Sequence, residues 1–163
     1  MLSNVYYAEH KLEDGNILLV KKDIYTDEYT WERQPNGDLL LKPVKNDLIT
    51  FDNLDDYEFS HSIVMYISIN DEEIHEFKYR KIRDCVYNTI GDGLKVIKNS
   101  ILNVKLPELN NKGFTYNPNL GISVQRADSN RTMKEIILQC QKNNISLTMK
   151  IKLDTDKIVI VRI

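Results

Sequence analysis

The stretch ISLTMKIKLDTDKIVIV, residues 145–161, decides the fold of this chain. Apolar and polar side chains alternate over 145–153, which is typical of a strand with one buried face. The polar residues 154–157 then indicate a turn, and 158–161 is apolar on both faces. A strand with two apolar faces belongs inside a sheet or beneath a second layer. The segment therefore predicts a hairpin in the core of the protein.

A helix is predicted just before this hairpin, because apolar residues recur at helical spacing from Met133 to Cys140. Asp128, Ser129 and Asn130 are candidate N-caps, and the stretch Thr132 to Glu135 has the spacing of a capping box. We expect the helix to pack on the hairpin. The side chains predicted to be buried together are Met133, Ile136, Ile137, Cys140, Leu147, Met149, Ile151, Val159 and Val161.

The N-terminal part predicts antiparallel hairpins. Residues 5–10 and 17–22 flank an Asp-Gly pair, and residues 29–33 and 39–44 flank a Pro-Asn-Gly turn. A third hairpin is predicted from strands at 62–69 and 74–79, with its turn at 70–73.

A central helical segment follows. Apolar spacing predicts helices over 82–90 and 94–101, separated by Gly91-Asp92-Gly93, and residues 107–121 are loop-like. The predicted fold class is therefore α+β, with a C-terminal strand, helix and hairpin completing a mixed or antiparallel sheet. We expect one domain, 1–163, with an acidic β-rich part at 1–79 and a basic α+β part at 80–163.

The charges are divided unevenly along the chain. Residues 1–77 contain six Lys/Arg and seventeen Asp/Glu, a net charge of −11, whereas residues 78–163 contain sixteen and seven, a net charge of +9. Opposite charges on one chain favour head-to-tail association with other protein chains. The leading hypothesis is thus a non-enzymatic interaction protein. It would be a homo-oligomer or a ring, adaptor or structural component of a larger assembly such as a bacterial-virus particle.

This hypothesis assigns interaction residues of three kinds. The acidic surface is predicted from Asp52, Asp55, Asp56, Tyr57, Glu58 and Phe59. The basic surface is predicted from Lys78, Arg80, Lys81, Arg83, Lys150 and Lys152. The loop at 107–121, with Phe114 and Tyr116, is a candidate arm that packs on a neighbouring chain.

Two alternatives use one half of the chain each. The basic half could neutralise phosphates, which predicts a small nucleic-acid-binding regulator. The acidic half could present a negative, tyrosine-lined surface that occupies the nucleic-acid cleft of a host enzyme, as an inhibitory decoy does.

The sequence motifs that would indicate an enzyme are weaker than the charge pattern that indicates an interaction protein. Glu76-Phe77-Lys78 resembles the Glu-x-Lys element of metal-dependent nucleases, but a chain rich in Glu and Lys contains such triplets by chance. His75 lies among acids without a second His or Cys at metal spacing. Cys85 and Cys140 have no metal or redox pattern and are predicted to be buried thiols. The sequence predicts no catalytic residue, cofactor or metal.

Expectations for location are simple. No apolar run approaches the roughly 18 residues of a membrane span, and the first residues lack the pattern of a secretion signal. We expect a cytoplasmic or virion protein with no membrane partner.

Overall fold

The structure is a computed structural model, and it describes residues 6–11, 15–22, 29–43 and 47–163. The chain divides into two compact units, Met1–Asn46 and Asp47–Ile163. The boundary between the two units lies between residues 46 and 47. The boundary between the acidic and basic parts of the sequence lies between residues 79 and 80.

The first unit contains two antiparallel hairpins among its described residues. Strands β1 (Tyr6–Lys11) and β2 (Ile17–Lys22) form one, and β3 (Tyr29–Arg33) and β4 (Leu39–Pro43) form the other. The second turn uses Gly37 at φ 92°, a conformation that suits glycine. The two predicted N-terminal hairpins are confirmed.

The second unit alternates strands and helices in an α+β arrangement, as predicted. A short 3₁₀ turn lies at Leu54–Asp56, between the first two strands of this second unit. In chain order the other elements are β5 (Asp47–Ile49), β6 (Ile63–Ile69), β7 (Glu72–Glu73), α1 (Tyr79–Ile90), α2 (Gly93–Asn99), β8 (Val104–Lys105), β9 (Phe114–Asn117), β10 (Ile122–Gln125), α3 (Ser129–Lys142), β11 (Leu147–Lys152) and β12 (Ile158–Arg162).

The main sheet has five strands in the order β5-β12-β11-β6-β7. The C-terminal hairpin β11–β12 lies in its middle, as the sequence predicts. Strand β5 joins β12 in parallel, and the other pairs are antiparallel. The segment from β5 to β7 therefore supplies both edges of the sheet, while the last residues of the unit supply its centre.

The main core lies between one face of this sheet and the helices α1 and α3. All nine side chains that the sequence predicts to be buried together are 0% exposed, so this prediction is confirmed. Asp128 caps α3, because its Oδ1 accepts a hydrogen bond from the Arg131 N–H at 2.8 Å. The predicted capping box is wrong, since Thr132 lies inside α3 and its hydroxyl donates to the Asp128 carbonyl.

A smaller core forms on the other side of α1. It joins α1, α2 and the three-stranded antiparallel sheet β8-β10-β9 through Tyr87, Val96, Leu102, Ile122 and Val124. A Cβ at Gly93 would lie 2.7 Å from the Leu120 carbonyl oxygen, so α2 can begin here only with glycine.

Two predicted segments differ in the structure. The third hairpin turns at Asn70 and Asp71 alone, both at positive φ, so its return strand is only Glu72–Glu73 and residues 74–78 are not a strand. Residues 107–121 are rich in turn residues and are predicted as a loop. In the structure this segment contains strand β9, which pairs with β10.

None of the helices in the described ranges combines the length and the apolar character that crossing a membrane requires.

Candidate functional site

A groove of about 410 Å³ lies where α1 begins, and four cationic side chains line it. They are Lys78, Arg80, Arg83 and Arg126. His61 and the hydroxyl-bearing residues Ser62, Ser129 and Thr132 also line it. We call this feature the basic groove.

Local backbone structure brings these cations together. Lys78 is the N-cap of α1 and has extended backbone with no side-chain capping bond. Arg80 and Arg83 are three residues apart on α1, so they share a face of the helix. Arg126 lies in the connection from β10 to α3, where its backbone N–H donates to the Gly113 carbonyl oxygen at 2.7 Å.

Arg83 forms a fixed, recessed part of the groove. Its residue is 1% exposed, and its Nη2 donates to Asp84 Oδ1 at 2.9 Å. The guanidinium also lies 5.5 Å from the centre of the Tyr87 ring. These contacts hold the side chain in one orientation and pair its charge with Asp84.

The other three cations are available to a ligand. Lys78, Arg80 and Arg126 are exposed, and none forms an ion pair with another of the residues 47–163. Two carboxylates nearby are engaged, since Asp84 binds Arg83 and Asp128 caps α3. The lining residues include no Asp or Glu, so the groove is cationic.

A buried polar cluster supports Tyr87 behind the groove. The carboxylate of Glu135 is 0% exposed and accepts hydrogen bonds from Tyr87 Oη at 2.8 Å, Gln139 Nε2 at 3.0 Å and the Ile101 N–H at 2.9 Å. Burial, and then the Glu135 charge, raises the pKa of Tyr87 far above its ordinary value. Tyr87 is therefore a hydrogen-bond donor at neutral pH, and its ring is held in place under Arg83.

The predicted basic residues separate into two groups. Lys78, Arg80 and Arg83 line the groove, while Lys81 is exposed but outside its lining. Lys150 is 6% exposed in β11, and Lys152 forms an ion pair with Asp156 at 3.1 Å, so neither belongs to the groove. Sequence reasoning missed Arg126, whose only signal is a basic residue in a strand-to-helix connection.

The predicted acidic surface is partly neutralised within the chain. Asp55 forms an ion pair with Lys134 at 3.5 Å, and a hydrogen bond from the Ser60 hydroxyl lowers the pKa of Glu58. Tyr57 is half-buried and donates to Asp47 Oδ2 at 3.0 Å, with Lys157 Nζ 5.7 Å from its ring centre. Asp52 and Asp56 are exposed.

Three aromatic residues that the sequence predicts to contact a partner chain are buried or half-buried within this chain. Phe59 is 1% exposed, because it enters the main core and its ring meets Tyr79 edge-to-face at 6.2 Å. Its place on an acidic surface is thus corrected. Phe114 and Tyr116 are half-buried in β9, where backbone pairing with β10 fixes them.

The residues that the sequence considers for metal binding or nucleophilic chemistry have the following places in the structure. Glu76-Phe77-Lys78 follows the end of β7 and is not on a strand, unlike the prediction. No group of three or more His, Cys, Asp or Glu side chains within the described ranges is placed to hold a metal. Burial raises the pKa of the Cys140 thiol to about 12, and burial followed by Glu76 and Asp84 raises that of half-buried Cys85. Both thiols are therefore protonated at neutral pH and poor nucleophiles.

Comparisons with known proteins give no relative. No protein-family model matches the chain, and searches of curated proteins and of solved structures find no match.

Proposed function

We propose that this protein is a non-enzymatic nucleic-acid-binding protein whose basic groove holds phosphates of the ligand. The observation that carries the proposal is that Lys78, Arg80 and Arg126, which have no ion-pair partner among residues 47–163, line one groove together with the buried guanidinium of Arg83.

Phosphate is the anion that this set of side chains suits best. Three of the four cations are arginines, and a guanidinium can donate two parallel hydrogen bonds to a phosphate. The uncapped first turn of α1 adds backbone N–H groups and the positive end of the helix dipole beside Lys78. A nucleic-acid backbone supplies phosphates in series, which matches cations spread from Lys78 to Arg126.

The charge balance of the second unit favours this proposal over self-assembly. Residues 47–163 contain sixteen Lys/Arg and sixteen Asp/Glu, a net charge of zero, although the sequence separates the two signs. Ion pairs such as Asp47 with Lys157 and Asp55 with Lys134 bring them together within one chain. Fewer unpaired charges then remain for contacts between copies of the chain. The same ion pairs also reduce the negative charge that an acidic decoy surface would need.

The groove can be tested by removing its two exposed arginines. We expect Arg80→Gln with Arg126→Gln to weaken binding of labelled oligonucleotides by about tenfold or more. Since each lost phosphate contact removes roughly 0.7–0.9 from the slope of log K against log salt, that slope should fall by about 1.5. Fluorescence anisotropy over a salt series measures both quantities.

A matched control is Lys142→Gln with Arg162→Gln, which removes the same charge from exposed positions outside the groove. Equal losses in the two double variants would contradict a site in the groove. Competition separates two sources of phosphate. If inorganic phosphate displaces the labelled oligonucleotide as effectively as an unlabelled oligonucleotide does, the ligand of the groove is a small phosphate compound instead.

The assembly hypothesis from the sequence stays a prediction with its own test. Light scattering at low and high salt should show particles larger than a monomer, which Asp55→Lys with Asp56→Lys and Glu58→Lys would dissociate. A monomer under every condition would leave nucleic-acid binding as the better-supported proposal.

A further inference from the structure

We propose that the groove binds a single strand rather than a duplex, with a base of that strand stacked on the ring of Phe77. This inference rests on the proposed function and specifies its ligand.

Phe77 is placed for stacking. Its side chain lines the basic groove directly before Lys78, and the residue is 57% exposed. Among the large exposed apolar side chains of residues 47–163, it is the only aromatic one. Because residues 74–78 leave the main sheet before α1 begins, the ring is turned out of the core to which Phe59 and Tyr79 contribute.

The other two aromatic residues of the groove, Phe59 and Tyr79, have a different role. Tyr79 is half-buried against Phe59, and its hydroxyl is hydrogen-bonded to Ser62. Burial raises the pKa of Tyr79, so the phenol keeps its proton at neutral pH. Tyr79 thus forms a wall of the groove, and Phe77 is the ring that a base can reach.

The accessible charges of the groove favour a flexible ligand. Arg83 is only 1% exposed and is paired with Asp84, so the cations that phosphates can reach are Lys78, Arg80 and Arg126. A duplex holds its phosphates at fixed positions on a stiff, convex surface, whereas a single strand can bend to bring its phosphates to these side chains while a base reaches Phe77. A cationic groove beside an exposed aromatic ring is the usual arrangement for binding single strands, because every base has a face that can stack.

The test compares single-stranded and duplex oligonucleotides of equal length by anisotropy, with wild-type protein and Phe77 variants. We expect tighter binding of the single strand. Since stacking contributes about 1–3 kcal/mol per base, Phe77→Ala should weaken single-strand binding by about tenfold and leave duplex binding unchanged. Phe77→Tyr should restore the affinity, because a phenol ring also stacks. The salt slope should not change in either variant, since no charge is removed.

The control is Leu106→Ala, because Leu106 is 56% exposed and lies outside the groove. Equal affinity for both nucleic acids, or no loss in Phe77→Ala, would overturn the single-strand inference. The proposed function would still stand in that case if Arg80→Gln with Arg126→Gln lowered the affinity. Absence of binding to either oligonucleotide at low salt would overturn both proposals.

Discussion

Replacing Glu135 by Ala is expected to lower the free energy of unfolding by about 3–5 kcal/mol. The carboxylate is 0% exposed and accepts hydrogen bonds from Tyr87, Gln139 and the Ile101 N–H. Alanine would leave Tyr87 Oη and the Ile101 N–H without this acceptor, and it would remove one of the two acceptors of Gln139 Nε2, which also donates to the Val96 carbonyl oxygen. An unsatisfied buried donor costs about 1–3 kcal/mol, so several together give a large effect.

Urea denaturation followed by circular dichroism measures this change, and Glu135→Gln refines it. The amide oxygen of glutamine can still accept from Tyr87 and Gln139, but its NH₂ group would face the Ile101 N–H. We therefore expect a smaller loss, about 1–2 kcal/mol. The exposed Glu108 provides the control, because Glu108→Ala should change stability by less than about 0.5 kcal/mol. A similar effect of Glu108→Ala and Glu135→Ala would contradict the buried cluster.

Truncating the centre of the main sheet is the second large effect that we expect. Leu147 is 0% exposed in β11, and its backbone exchanges two hydrogen bonds with Ile163 at 3.1 and 2.9 Å. Leu147→Ala should lower the free energy of unfolding by about 2–5 kcal/mol, since it removes buried methyl groups and leaves a cavity. The same denaturation experiment measures it.

Leu106→Ala is the matched control for this substitution, because Leu106 is 56% exposed. It should leave the unfolding midpoint nearly unchanged. If Leu147→Ala were equally mild, the C-terminal hairpin would not be the centre of the core.

The sequence predicts the core well because periodicity is a local signal. The alternation from Ile145 to Leu153 and the spacing from Met133 to Cys140 correctly identify the side chains that face each other. The prediction of a strand at 74–79 is wrong, because the alternation of these residues resembles that of a paired strand. Whether a segment pairs depends on where the preceding turn closes, and Asn70-Asp71 closes it earlier than four polar residues suggest.

The candidate site was only partly predictable, because it depends on contacts between distant segments. Lys78, Arg80 and Arg83 are near each other in the sequence, so their clustering could be recognised. Arg126 joins them only through the packing of α3 beside α1. The sequence places Glu135 in a capping box, since nothing local shows that its carboxylate meets Tyr87 from another helix. The sequence places Phe59 on the surface because acidic residues surround it.

The order of strands in the main sheet also constrains how the second unit can fold during synthesis. Asp47 pairs with Val159 and Ile69 pairs with Leu147, so the strands made first need partners that are made last. Until residues 147–162 leave the ribosome, β5 and β6 lack their partner strands β12 and β11. Their backbone groups on those edges are then unpaired, and their apolar side chains have no complete sheet to pack in. Such distant pairings slow folding and leave newly made chains open to aggregation. The last strands of the sequence therefore control when this unit becomes a folded protein.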